Sequence, residues 1–301
     1  MKTSLASKIT KCDLLVIPFY EGKKPSSAQN AALENEFHHD FEGKLNETVL
    51  LYQKNKITPR ILLVGLGKQE DANAEHWRQA GGTAAKHIKK GMFTVTILPP
   101  KESVELLAAF MEGFELASYQ FDDFIHDSER KKSFAESLTF IVQQQSLQEP
   151  LTEALREVAV VVDAVKMVRD LVTMPSNGMH PRTVGEKAKA IARYGSKLST
   201  KIFDAAKLKK MGMGCLVGVG AGAKEEPALI VMEYKNKPLN KKPIVLVGKG
   251  ICFDSGGINL KTQSLEEMKY DMAGAASVLG VMEILGKLKP KLHVIGIAAC
   301  A

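Results

Sequence analysis

Along most of the chain, short apolar runs of strand length alternate with longer segments of helical periodicity, and this alternation constrains the fold more than any other feature. Residues 13–19, 48–52, 60–67 and 93–98 read as strands, with helical patterns over 74–90 and 103–118 between them and one more strand at 137–142. Strands fed through intervening helices predict a mostly parallel sheet covered by helices, an α/β domain over residues 1–150. A long helix follows over 151–171, with Val158, Val161, Val162, Val165 and Val168 on a stripe spaced three and four apart. Counted as 151–172, it is the expected link between two domains. Pro175, Asn177, Gly178 and Pro181 end it and open a loop.

A second alternation occupies 173–301. Helix 183–194, strand 198–203, short helix 205–211, strands 215–220, 228–234 and 244–248, helix 271–288 and strand 292–299 are expected there. A length of 301 residues suits two such domains. The strand 292–299 is expected to stand as a bare sheet edge, liable to pair with other chains.

Lysine and arginine outnumber acidic residues 41 to 34, giving a formal charge of +7 that would suit a polyanionic partner such as nucleic acid. The excess is scattered over positions such as Lys207, Lys209, Lys210, Lys235, Lys237, Lys241 and Lys242, however, and reads as solvated surface. Cys12, Cys215, Cys252 and Cys300 lie far apart with no CxxC pair, which argues against a disulfide framework or a thiolate zinc site. Lys8, Lys11 and Asp13 interrupt any signal-peptide core, and no apolar run approaches the ~20 residues of a membrane span. A cytoplasmic protein without membrane contact is expected.

Two glycine-rich turns fail as phosphate loops. Gly65-Leu66-Gly67 lacks the third glycine of a dinucleotide fingerprint, and the glycines of 218–222 run into Ala223-Lys224-Glu225-Glu226-Pro227 with no helix start to hold a phosphate. The informative stretch is Val247-Gly248-Lys249-Gly250-Ile251-Cys252-Phe253-Asp254-Ser255-Gly256-Gly257-Ile258-Asn259-Leu260-Lys261, followed by Met268-Lys269-Tyr270-Asp271-Met272-Ala273-Gly274-Ala275-Ala276. Lys249 stands at the end of an apolar strand, where open α/β sheets place their ligands. Asp254 follows in one glycine-flanked loop and Asp271 opens the next helix, so the three can converge. Two carboxylates offer hard oxygen ligands to divalent cations, and a lysine amine beside a metal can lose its proton. Lys261 can instead keep its proton and meet negative charge developing on a reacting carbonyl. The same spacing also fits a structural arrangement, with Lys249 and Asp254 paired to brace a loop and Asp271 capping a helix.

This stretch resembles the signature of the leucyl aminopeptidase family, V-G-K-G-x-x-F-D-S-G-G-x-x-x-K followed by M-x-x-D-M-x-G-A-A. Arg60-Ile61-Leu62-Leu63-Val64-Gly65-Leu66-Gly67-Lys68, Ala80-Gly81-Gly82, Arg169-Asp170-Leu171 with Pro175, and Met211-Gly212 resemble family positions in the same order, so the likeness covers nearly the whole chain. It implies an N-terminal α/β domain, a linker helix and part of an α/β/α catalytic domain. It also implies a cytosolic metalloprotease: an aminopeptidase removing N-terminal residues of leucine type from peptides with a free N-terminus, by metal-activated hydroxide. Two divalent cations are implied, zinc with manganese or magnesium at an exchangeable position, in a homo-hexamer. Lys249 and Asp271 would hold one cation, Asp254 would bridge both, Lys261 would be the catalytic lysine, and Met268 would line the pocket for the first side chain.

Two departures accompany the likeness. The loop from Lys261 to Met268 is one residue shorter than in many relatives. The family's N-T-D-A-E-G-R segment, source of a further Asp and Glu for the metals and an Arg for the reacting centre, has no counterpart. Its nearest imitation, Asp127-Ser128-Glu129-Arg130, precedes the lysine motif, lacks the glycine and reads as an exposed charged loop. The chain is therefore expected to be truncated within its catalytic domain, with negligible activity and at most one weakly held cation. A non-catalytic relative binding nucleic acid, and an inert fragment, are the rival expectations.

Overall fold

In a computed structural model of the chain, the described residues are 1–33, 40–54, 57–89, 91–126, 135–236 and 242–301. They form two compact units, Met1–Val162 and Asp163–Ala301. The division falls inside the helix α4, Gln145–Thr173. The Asp127–Arg130 stretch and residues 237 and 241 lie outside the described residues.

The first unit is built on a sheet of β1 (Lys2–Ala6), β2 (Leu14–Phe19), β3 (Thr48–Tyr52), β4 (Arg60–Gly65), β5 (Thr94–Ile97) and β6 (Ser137–Ile141), in the order β1-β6-β5-β2-β4-β3. All neighbours are parallel except β3, which runs antiparallel to β4. β2 lies mid-sheet and every one of its residues is buried, as a parallel strand covered on both faces must be. Its side chains alternate between two cores: Leu14 and Val16 join Leu62, Trp77, Phe110 and Phe140, while Leu15, Ile17 and Phe19 join Ile61, Leu63, Leu33 and Phe41. Pro18 is tolerated in this central strand because pairing with β5 stops at Val16, so no ladder bond is lost from that side.

Helices α1 (Ser27–Ala32), α2 (Ala74–Lys86) and α3 (Val104–Ala117) complete the unit, joined by the first half of α4 through Leu151 and Leu155. Backbone contact locks α2 against α3. A Cβ on Gly113 would stand 1.8 Å from the Arg78 carbonyl oxygen, and one on Gly81 would stand 2.1 Å from that of Phe110. An ion pair of 2.9 Å between Arg78 and Glu112 crosses the same contact.

The second unit holds α5 (Pro181–Ala192), β7 (Leu198–Phe203), α6 (Ala205–Lys210), α7 (Gly214–Gly220), β8 (Ala228–Lys235), β9 (Ile244–Gly250), α8 (Ala273–Leu288) and β10 (His293–Cys300). Its sheet has the order β7-β8-β10-β9, with only β9 and β10 parallel. Ile230, Met232, Tyr234, Val294 and Ala298 on the strands bury against Val184 and Ile191 of α5 and Ala275, Leu279 and Met282 of α8.

Three expectations are corrected. Residues 215–220 form the helix α7 rather than a strand: a short apolar run has no decisive period, and the turn at Gly212 (φ 72°) sets it off as a second helix directly after α6. The strand 292–299 is not a bare edge, because β10 sits between β8 and β9. The edge strands are β7 and β9, and on β9 Val245 and Val247 are 50% and 72% exposed. The helix expected from Asp271 begins at Ala273, preceded by a 3-10 segment, Leu265–Met272, that contains Asp271. The strand β1 and the short helix α1 were not anticipated, since neither carries an apolar run long enough to show a period.

Because Gly113 has no room for a methyl group, Gly113→Ala should destabilise the first unit by about 3 kcal/mol, at the upper end of the usual cost of overpacking. A urea-unfolding midpoint equal to that of the unsubstituted chain would refute the α2–α3 contact.

Candidate metal centre

The end of β9 and the start of α8 meet backbone to backbone. A Cβ on Gly248 would lie 2.4 Å from the Gly274 carbonyl oxygen, and one on Gly274 would lie 2.9 Å from the Lys249 nitrogen. With side chains absent at both positions, the last turn of strand and the first turn of helix sit in van der Waals contact. Lys249 is thereby brought beside Asp271, two residues ahead of the helix: its Nζ is 3.0 Å from Asp271 Oδ1. The other oxygen, Asp271 Oδ2, is buried and has no hydrogen-bond partner. A bare carboxylate oxygen in a protein interior costs free energy unless a ligand or water meets it.

Between the two elements the chain makes a tight loop. Gly256 (φ 86°) turns it where a Cβ would meet the Asn259 carbonyl oxygen at 2.3 Å, a conformation and a space that admit only glycine. Lys261 N–H then donates back to the Ser255 carbonyl at 2.9 Å. This return places Lys261 Nζ 2.7 Å from Asp254 Oδ2 and 3.1 Å from Met268 Sδ. Asp254 Oδ1 accepts the Gly256 N–H at 3.0 Å. The Lys261 ammonium holds the Asp254 carboxyl below its ordinary pKa, with help from the Gly256 N–H and, at longer range, the charge of Lys249.

All five residues singled out in the sequence thus lie in one strand end, loop and helix start. They pair differently from the bracing arrangement considered above: Lys249 takes Asp271 and Lys261 takes Asp254. Met268, named for a separate role, touches Lys261. Neither the bare Asp271 oxygen nor the Gly248–Gly274 contact could be found from residue types alone, although the Met-Ala-Gly-Ala-Ala run of 272–276 marks where a small helix start must be.

The donors suit a divalent cation. Two carboxylates, each paired with a lysine, lie at one strand end, loop and helix start, one carboxylate oxygen is unsatisfied, and among the described residues no group of three His, Cys, Asp or Glu forms a metal site. Cys252, two residues before Asp254, is buried with its thiol pushed up to about 12 by that burial, and it packs as an apolar group.

Residues 16–128 match the family model for the N-terminal domain of the cytosol aminopeptidase family, and residues 166–301 match that for its catalytic domain. The chain belongs to the cytosol aminopeptidase family. A probable cytosol aminopeptidase of Geotalea uraniireducens (strain Rf4) is 37% identical over 87% of this chain and 54% of its own length. One from Nitrosococcus oceani is 33% identical over 94% of this chain and 60% of its own. The chain therefore spans somewhat over half the length of these curated relatives. Among solved structures, a mutant of tomato leucine aminopeptidase superposes with a TM-score of 0.82 at 28% identity, over 99% of this chain and 62% of that one. The bottromycin maturation enzyme BotP in complex with Mn shares the fold, with a TM-score of 0.77 at 24% identity over 96% of this chain and 59% of that one. The α/β fold and the family drawn from the lysine–aspartate signature are borne out.

Asp254 contributes stability above the ordinary carboxylate range, and the contribution is lost as pH falls through its lowered pKa. Its carboxyl ¹³C titration should accordingly have a midpoint below that of an ordinary aspartate. In Lys261→Met the midpoint should rise toward the ordinary value, and one that stays put would show that Lys261 does not hold this carboxylate.

Proposed function

We propose that the protein is a metal-dependent aminopeptidase that releases N-terminal residues, leucine among them, from peptides. The observation that carries this reading is the buried, unpartnered Oδ2 of Asp271 beside Lys249 and within one loop of Asp254, in a chain of this family. On this reading residues 1–150 are the N-terminal domain, 151–172 the linker and 173–301 the part of the catalytic domain present here.

Asp271 and Lys249 would hold one cation and Asp254 would be shared with a second, zinc being the first choice and manganese or magnesium the alternative at the exchangeable position. Bound there, the cations would supply Lewis acidity toward the scissile carbonyl and activation of a water. The chain's own residues do the rest. Lys261 keeps its protons on Nζ and donates to the carbonyl oxygen as negative charge builds there, a stabilisation present in the transition state and absent in the ground state. Met268, whose sulfur touches the Lys261 ammonium, would line the pocket that receives the first side chain. A homo-hexamer in the cytoplasm is part of the same proposal. Among the described residues, no helix is long and apolar enough to cross a membrane.

The family match favours this reading over a nucleic-acid-binding relative. Manganese titrated into the 301-residue chain should bind, and Asp254→Asn or Asp271→Asn should each abolish binding. Retention of full affinity in both variants would sink the assignment. In a chain continued to the length of the relatives, Lys261→Ala should lower kcat on a leucyl amide by about 10²–10³ with metal content unchanged, the usual effect of losing one such donor.

A further inference from the structure

We propose that the Lys261 ammonium is an internal counter-ion of Asp254 that a divalent cation must displace, so that loading the centre and freeing Lys261 are a single exchange. This rests on the reading of Asp254 as a metal ligand.

The two carboxylates of the centre are not equivalent. Asp271 offers a bare, buried Oδ2, whereas both oxygens of Asp254 are taken, Oδ1 by the Gly256 N–H and Oδ2 by Lys261 Nζ at 2.7 Å. Asp271 thus keeps one oxygen free while Lys249 holds the other, whereas Asp254 has no free oxygen and is closed by the Lys261 ammonium. The Lys261 side chain is about one third exposed, as is that of Asp254, so their attraction is screened by solvent and weak enough for a doubly charged ion to outcompete. Lys261 can leave without moving the loop, because its backbone is fixed by the bond from its N–H to the Ser255 carbonyl while four methylenes separate that anchor from the ammonium.

Where the ammonium goes next is set by its surroundings. Its other polar contact is Met268 Sδ at 3.1 Å, and a thioether is a weak acceptor. Once Asp254 turns to a cation, Lys261 keeps only this feeble partner. It is then a positive charge in want of a negative one, at the end of a flexible stem on a fixed backbone beside Met268. While it is paired with Asp254 the same group is quenched. The arrangement keeps two carboxylates and two ammonium groups neutral overall before loading, and it releases one ammonium to the reacting carbonyl only when the centre is filled.

The test measures Mn²⁺ affinity of the 301-residue chain at low salt, by electron paramagnetic resonance of the free ion, in the unsubstituted protein and in Lys261→Met, Lys261→Arg and Asp254→Asn. With no ammonium to displace and one positive charge fewer nearby, Lys261→Met should bind roughly three- to ten-fold more tightly. Lys261→Arg, which keeps the charge, should bind close to the unsubstituted chain, and Asp254→Asn should lose binding. Unchanged or weaker binding in Lys261→Met overturns the proposal, as does the absence of measurable binding in both it and the unsubstituted chain, since a lysine that merely braces the loop predicts loosening. Should Lys261→Met fail to fold by circular dichroism, Lys261→Gln is read by the same criteria. If Asp254→Asn binds as the unsubstituted chain does, the reading of Asp254 as a ligand fails; if only the Lys261 variants disagree, the counter-ion proposal alone fails.

Discussion

The close approach of Gly248 to Gly274 is the constraint on which the candidate centre depends. Strand and helix normally keep a side chain's distance between them. Here both surrender it, and the end of β9 sits directly on the first turn of α8. Only this brings Lys249, whose side chain leaves the strand, within 3.0 Å of Asp271, which belongs to the segment leading into the helix. A methyl group at either glycine would push the two apart and leave each charged group to water.

On that fixed junction the loop from Ile251 to Ser264 can be short of hydrophobic support and still be shaped. Few of its side chains are buried, and Ile258 and Leu260 stand in solvent. Its form comes instead from polar contacts: the Gly256 turn, the Lys261 N–H bond to Ser255, and the ion pair that closes the loop on Asp254. Contacts of this kind, open to solvent, contribute little to stability. They are therefore easily exchanged for others. The rigid parts, β9 and α8, carry the position, and the exchangeable parts carry the chemistry.

The same division of labour is visible in the first unit at larger scale. Its glycines at 81 and 113 join α2 to α3, and its central strand β2 is buried on both faces, so the sheet and its helices form a tightly packed body with aromatic contacts running from Tyr20 through Trp77 and Phe110 to Phe140. The second unit is less closed. Val245 and Val247 on its edge strand and Met211 and Val219 around α7 are exposed apolar side chains. Parallel strands of this kind are ordinarily covered, and surface of this character invites association.

The sequence by itself determined the element pattern and the chemistry at stake. Alternating apolar runs and helical stripes suffice to specify an α/β chain because strand and helix periods differ, two against 3.6, and long segments show the difference clearly. The residue types Lys249, Asp254, Lys261, Met268 and Asp271, in their order, were legible because spacing along a chain survives without a fold. What stayed hidden were the short, nonperiodic pieces, β1, α1 and α7, whose states are set by neighbours rather than by their own pattern. Sheet order was hidden too: that β10 lies inside and β9 at the edge follows from which strand pairs with β8, a contact made across more than fifty residues. Pairing within the centre belongs to the same class. Residue types allowed Lys249 to meet Asp254, and only the folded loop, turning at Gly256 while Gly248 settles on Gly274, gives Lys249 to Asp271 and Lys261 to Asp254 and leaves one oxygen of Asp271 buried and bare.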